Sequence, residues 1–107
     1  MTYRWREHEE AHAELREAIL FLEDEREGWG DRFADAVEAA IRSILESPES
    51  WGLHRGRRRN PPVHTRSVAG FRYDIKYIVQ GDEVIVVAYA HERRRPGYWA
   101  KRLGRVS

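Results

Sequence analysis

The chain of 107 residues has no cysteine, only two lysines and few serines, and no apolar run approaches the length that spans a bilayer. Without cysteine there are no disulfides and no thiolate chemistry, which fits a reducing compartment. A membrane helix needs about 20 consecutive apolar residues, and the charged start MTYRWREHEE does not read as a signal peptide. These absences predict a soluble, cytoplasmic protein that makes no membrane contact. No serine lies in an elbow motif, and no glycine pattern follows a strand to form a phosphate loop. Acyl-enzyme chemistry and nucleotide cradling therefore lack their residues. The length suits one domain, 1–107, with one modest core.

What the chain does have is arginine, unevenly placed. Residues 1–50 carry six arginines against fourteen Asp and Glu, and residues 51–107 carry thirteen Lys and Arg against four acids. Eleven of those thirteen cations are arginine, the residue suited to bidentate contact with phosphate or carboxylate. Either the two halves neutralise each other in the fold, or the basic half is left to meet phosphate or an acidic partner.

Periodicity divides the chain into elements. Thr2 to Arg6 alternates, with Tyr3 and Trp5 on one side, as a short strand does. From Glu7, Ala11, Leu15, Ala18, Ile19 and Leu22 recur at helical spacing until the breaker Gly28-Trp29-Gly30. A second helix is predicted from about Asp31, with Phe33, Val37, Ala40, Ile41, Ile44 and Leu45 as its stripe, ending at Ser47-Pro48. "SWGLHRGRRRNPP", Ser50 to Pro62, reads as a loop long enough to imply a job or mobility. Beyond it the period is two: Val63 to Val68, then Phe71, Tyr73, Ile75, Tyr77 and Val79 on one face, a turn at Gly81-Asp82, and the apolar run Val84 to His91, expected at the sheet centre. Pro96 is expected to open a short C-terminal helix. The fold class is α+β: an antiparallel meander with an N-terminal strand, a helical hairpin on one sheet face and a partly exposed opposite face.

Two patterns carry chemistry. "HEEAH", His8 to His12, satisfies the H-E-x-x-H zinc pattern. It opens a helix directly behind a strand, His8 falls in the buried stripe, and no third ligand is distinguished, so no metal and no cofactor are expected. The other is the basic constellation: Arg66 and Arg72 in the meander, His91 at a strand end, Arg93, Arg94 and Arg95, then Tyr98, Trp99 and Arg102. Like charges at a strand end repel unless an anion or acidic partner neutralises them. Trp99 is expected to pack on the sheet edge.

The ordered combination "AEL", "GWGDRF", "SPESW", "RSVAGFRYDIKY" and "VIVVAYAHERRRPGYW" resembles the RelE/ParE superfamily of bacterial type II toxins, nearest its ParE-like, plasmid-stabilisation branch. The resemblance spans nearly the whole chain. It implies a compact α+β toxin held inactive by a cognate antitoxin, with DNA gyrase (ParE-like members) or ribosome-bound mRNA (RelE-like members) as target. Arg66 matches the arginine before the family's Phe-Pro-Tyr, Phe71 and Tyr73 match its aromatics, and His91, Arg94, Tyr98 and Trp99 fall in its C-terminal motif. Arg72 departs from it, standing where many relatives have proline. Target or antitoxin binding is thereby expected at Arg66, Arg72, Arg93, Arg94, Arg95, Trp99 and Arg102. RNA cleavage needs a base, an acid and cations around the phosphorane. Candidates are Tyr98 as base with a pKa lowered by its arginines, His91 as acid and Arg94 as charge stabiliser. RelE-like nucleases tend to supply several lysines; here Lys76 lies opposite the aromatic face and Lys101 in the expected terminal helix. The scarcity favours a non-catalytic gyrase binder over an endonuclease, and a non-toxic basic binding module is the third reading.

Overall fold

The computed structural model describes residues 2–56 and 59–105; Arg57 and Arg58, part of the arginine run in the long loop, lie outside the described residues. The elements are β1 (Arg4–Glu7), α1 (Glu9–Glu25), α2 (Trp29–Glu46), β2 (His64–Ser67), β3 (Tyr73–Gln80) and β4 (Glu83–His91), with 3₁₀ turns at His54–Gly56 and Ala100–Arg105. The fold is α+β, with the helical hairpin on one face of a four-stranded sheet of order β1-β4-β3-β2. No described helix is long and apolar enough to cross a membrane.

The helices start where their caps allow. His8 caps α1 by accepting from the Glu10 amide through Nδ1 at 3.1 Å, and Glu9 and Glu10 complement the positive end of the helix dipole. Between the helices, Gly28 takes φ 87°, a left-handed conformation that favours glycine. A Cβ on Gly30 would stand 2.8 Å from the Ile19 carbonyl oxygen, so this glycine lets the two helices approach. The second helix therefore begins at Trp29, two residues before the expected Asp31.

Strands β2, β3 and β4 form the expected antiparallel meander, but β1 joins β4 in parallel, so the sheet is mixed. The correction explains the long loop. Since β1, β2 and β4 run the same way, the chain must travel back along the sheet after α2. The described residues of the connection, 47–56 and 59–63, lie along that return, with Leu53 bridged antiparallel to His64 and the Thr65 amide donating to the Gly52 carbonyl at 2.8 Å. Gly52 and Leu53 thereby cover part of the β2 edge.

One irregularity decides which side chains face where. Tyr77 pairs with Val86, yet Lys76 pairs with Ala88, leaving Val87 as an extra residue in β4. Val84, Val86 and Tyr89 face the helices, where they join Phe33, Val37, Ile44, Ile75 and Tyr77. Ile85, Val87 and Ala88 go to the opposite face, with Ile78, Val63 and Trp99. That face is thus partly covered by the C-terminal segment and partly open, as expected. Pro96 starts a turn, not a helix: the Tyr98 amide donates to the Arg95 carbonyl, and the 3₁₀ turn begins only at Ala100.

Candidate functional site: a basic cleft on the face away from the helices

The uncovered part of the second face is a cleft of about 320 Å³. Alternation along β3 points Asp74 and Lys76 away from the helices, and β2 adds Thr65 and Ser67 in register with them. Across the sheet, Asp74 and Lys76 pair with Ala90 and Ala88. These alanines are too small to fill the space above the sheet. The turn Glu92–Pro96 and the His54–Arg55 turn form the walls, and Trp99 closes one end.

Lys76 forms the floor and is only 7% exposed. Its ammonium donates to Thr65 Oγ1 at 2.9 Å and to His54 Nδ1 at 3.1 Å, while Asp74 Oδ2 stands 3.9 Å away, beyond hydrogen-bond reach. Burial pushes the Lys76 pKa down, against the pull of Asp74. His54 is lowered to about 4 by burial first and then by Lys76, Arg59 and Arg55. A neutral ring at pH 7 explains how Nδ1 accepts from a lysine. Its Nε2 is buried without a hydrogen-bond partner among the described residues, and the ring stands edge-on to Trp99 with centroids 5.0 Å apart.

The rim is arginine. Arg93, Arg94 and Arg95 are exposed, and Arg94 lies over the Tyr98 ring at 3.9 Å. The turn is held by the Arg93 amide donating to His91 Nδ1 at 3.0 Å, with the His91 ring edge-on to Tyr73. Among the described residues no carboxylate pairs with Arg93, Arg94 or Arg95. Glu92, their neighbour, instead bonds Arg72 at 2.9 Å.

Several expected site residues lie elsewhere. Arg66 pairs across the sheet with Ile75, on the helix side, and stacks over Trp51 at 4.2 Å; it does not join the cleft. Trp99 is 1% exposed and meets the cleft only at its closed end, and Arg102 is 8% exposed and is absent from the cleft lining. Trp99 sits under the second face, not at the sheet edge, because Val63, Ile78, Ile85 and Val87 need an apolar cover. Arg102 is drawn in by Glu14 of α1, which it meets through two guanidinium nitrogens at 2.9 and 3.0 Å.

The same Glu14 engages Tyr98. The Tyr98 hydroxyl donates to Glu14 Oε2 at 2.5 Å. Burial raises its pKa, the Glu14 hydrogen bond and charge raise it further, and Arg94 and Arg102 oppose this without prevailing. The expectation of a lowered value is overturned, since burial, with the Glu14 hydrogen bond and charge added to it, outweighs Arg94 and Arg102. Glu14 also accepts the Tyr89 amide, so one side chain from the acidic half ties α1 to β4 and to the terminal turn. With Glu10 bonded to Arg105 at 2.5 Å, part of the segregated charge is neutralised inside the fold. Arg93, Arg94 and Arg95 have no such partner among the described residues.

In the "HEEAH" segment, His8 serves as a helix cap and His12 Nδ1 lies 2.6 Å from Glu7 Oε1. No group of three or more metal-ligating side chains occurs among the described residues. Lys101 is exposed in the terminal 3₁₀ turn, away from the cleft lining.

Strand parity, which sets Lys76 opposite the aromatic face, places it correctly but gives no sign of its burial or of His54. The available signal is the pair of small residues in "AYAH", facing a lysine on the neighbouring strand. No protein-family model matches the sequence and no curated protein does either, so the RelE/ParE resemblance rests on the residues quoted above.

Proposed function

We propose that this protein is a growth-inhibiting toxin of a bacterial type II toxin–antitoxin pair, acting by binding DNA gyrase and held inactive by a cognate antitoxin. The observation that favours binding over RNA cleavage is the fate of Tyr98. Its hydroxyl is committed to Glu14 and its proton is held more firmly than in a free tyrosine. A 2′-hydroxyl would therefore find no base there. The exposed turn Arg93–Arg95 offers what a binder needs, cations with no ion-pair partner among the described residues beside an open cleft.

Cleavage of ribosome-bound mRNA is the second reading, favoured by one feature. Lys76, with its lowered pKa, sits beside neutral His54 in the cleft, where it could protonate a leaving oxygen.

The test is induction in bacteria without an antitoxin, with DNA supercoiling and mRNA 5′ ends assayed in the same cells. Gyrase poisoning predicts DNA breaks and an SOS response with unchanged 5′ ends. Ribosome-dependent cuts within codons, lost in Lys76→Met, would replace it by the second reading. Normal growth despite soluble expression would leave a non-toxic binding module.

A further inference from the structure

We propose that the cleft is a seat for one phosphate group, with the Lys76 ammonium at its floor and Arg94 and Arg95 closing over it from the rim. The inference rests on reading this face as the working surface, but not on toxicity. Lys76 is a buried cation without a hydrogen-bonded counter-ion. Its two acceptors, Thr65 Oγ1 and His54 Nδ1, are neutral groups, and the nearest carboxylate oxygen, on Asp74, is 3.9 Å away. Buried charges are ordinarily paired, because desolvation without compensation is costly. An ammonium has three protons. Two are used, and the third is left for whatever enters the cleft that Lys76 lines.

The surroundings strengthen the requirement. Among the described residues, Arg55, Lys76, Arg94 and Arg95 line the cleft against Asp74 and Glu92, and Glu92 is engaged by Arg72. His54 adds no charge at neutral pH and supplies an acceptor that holds the ammonium upright. Arg55, beside it, is exposed at the mouth. Ala90, paired with Asp74, keeps the space above the sheet free. A tetrahedral dianion offers oxygens to a lysine below and to guanidinium forks above at once, whereas a carboxylate has two oxygens and half the charge.

The experiment is NMR titration of the purified protein, following the Lys76 Nζ and His54 ring signals. Three probes are used at constant ionic strength: inorganic phosphate, adenosine 5′-monophosphate and acetate. Saturable shifts are expected with phosphate and the nucleotide and not with acetate. Tighter binding of the nucleotide would assign the site to a nucleotide's phosphate ester, and equal binding to phosphate itself. Removing one charge-assisted hydrogen bond, about 1.5–3 kcal/mol, corresponds to roughly 10- to 100-fold in Kd, which is the weakening expected for Lys76→Met. Arg95→Ala, at an exposed position where folding is not at stake, should weaken binding in the same direction. Arg42→Ala, exposed on α2 and absent from the cleft lining, should leave it unchanged. Shifts that do not saturate, equal response to acetate, or unchanged affinity in both Lys76→Met and Arg95→Ala would overturn the proposal. A protein that binds phosphate yet leaves cells growing would defeat only the toxin reading.

Discussion

The two faces of the sheet are built by different rules. On the helix side, Phe33, Val37, Ile44, Ile75, Tyr77 and Val86 make an apolar layer that joins the sheet to the helices. On the other side the apolar part is short, with Ile78, Ile85 and Val87 beneath Trp99. It gives way along β3 to Lys76, a desolvated cation. The first face contributes stability. The second trades stability for a charged floor in an open cleft, the arrangement expected where binding rather than folding is served. The extra residue Val87 makes the division sharp, because it puts Val87 and Ala88 both on the second face beside Lys76.

If the apolar part of the second face is a true core, Trp99→Ala should cost about 3–5 kcal/mol, as should Phe33→Ala on the helix side. Denaturant unfolding checks this, and a cost below about 1 kcal/mol for Trp99 would reduce the second face to a covering flap. Nearly as large is the effect expected at the junction of the faces. Glu14→Ala leaves the buried Arg102 guanidinium with the Val87 carbonyl and with Glu10 at 3.7 Å, so the cost should fall at or below the low end of the about 3–5 kcal/mol typical of breaking one side of a buried pair. Adding Arg102→Met should restore much of that stability, which a double-mutant cycle would measure.

Acid separates the faces further. His54 in the folded state is lowered to about 4 from an unfolded value near 6.5. The neutral ring's contribution is therefore complete above about pH 6.5 and disappears as pH falls through about 4. The stability at stake is on the order of 3 kcal/mol. His54→Gln should remove this part of the acid sensitivity, seen as a smaller drop in melting temperature between pH 7 and pH 4. An identical drop in both proteins would mean that the ring charges freely in the folded state. The smallest effect on stability belongs to the rim. Arg93→Ala with Arg94→Ala should change it by less than about 1 kcal/mol, since exposed charges contribute little. Growth inhibition or antitoxin affinity should meanwhile weaken by about 1–3 kcal/mol for each charge-assisted hydrogen bond removed. Full toxicity and full antitoxin affinity in this variant would make the turn a solvated tail.

The comparison also separates what is legible in the sequence from what is not. Both helices and the helix-side stripe follow from spacing alone, as does the central place of β4, whose apolar run needs cover on both faces. The direction of β1 does not, because the alternation of Tyr3 and Trp5 is the same in a parallel or an antiparallel strand. Strand parity sets Lys76 away from the helices, but its surroundings come from Thr65 and His54, 11 and 22 residues distant in the chain. Tyr98 escapes a local reading for a related reason. Its neighbours in sequence are arginines, while the carboxylate that decides its chemistry lies 84 residues earlier. Arg102 answers to the same partner, whose pull inward no local pattern announces.

The most direct test of the division between a stabilising face and a binding face is the unfolding free energy of Lys76→Met, measured with and without phosphate. Thr65 and His54 are neutral and Asp74 is partly solvated, so removing the lysine strands no buried charge. Without phosphate, the variant should be as stable as the wild type or more stable by up to about 2 kcal/mol. Added phosphate should then raise the melting temperature of the wild type and not that of the variant. A variant destabilised by more than about 2 kcal/mol, or one that still responds to phosphate, would make Lys76 a structural strut and contradict the account.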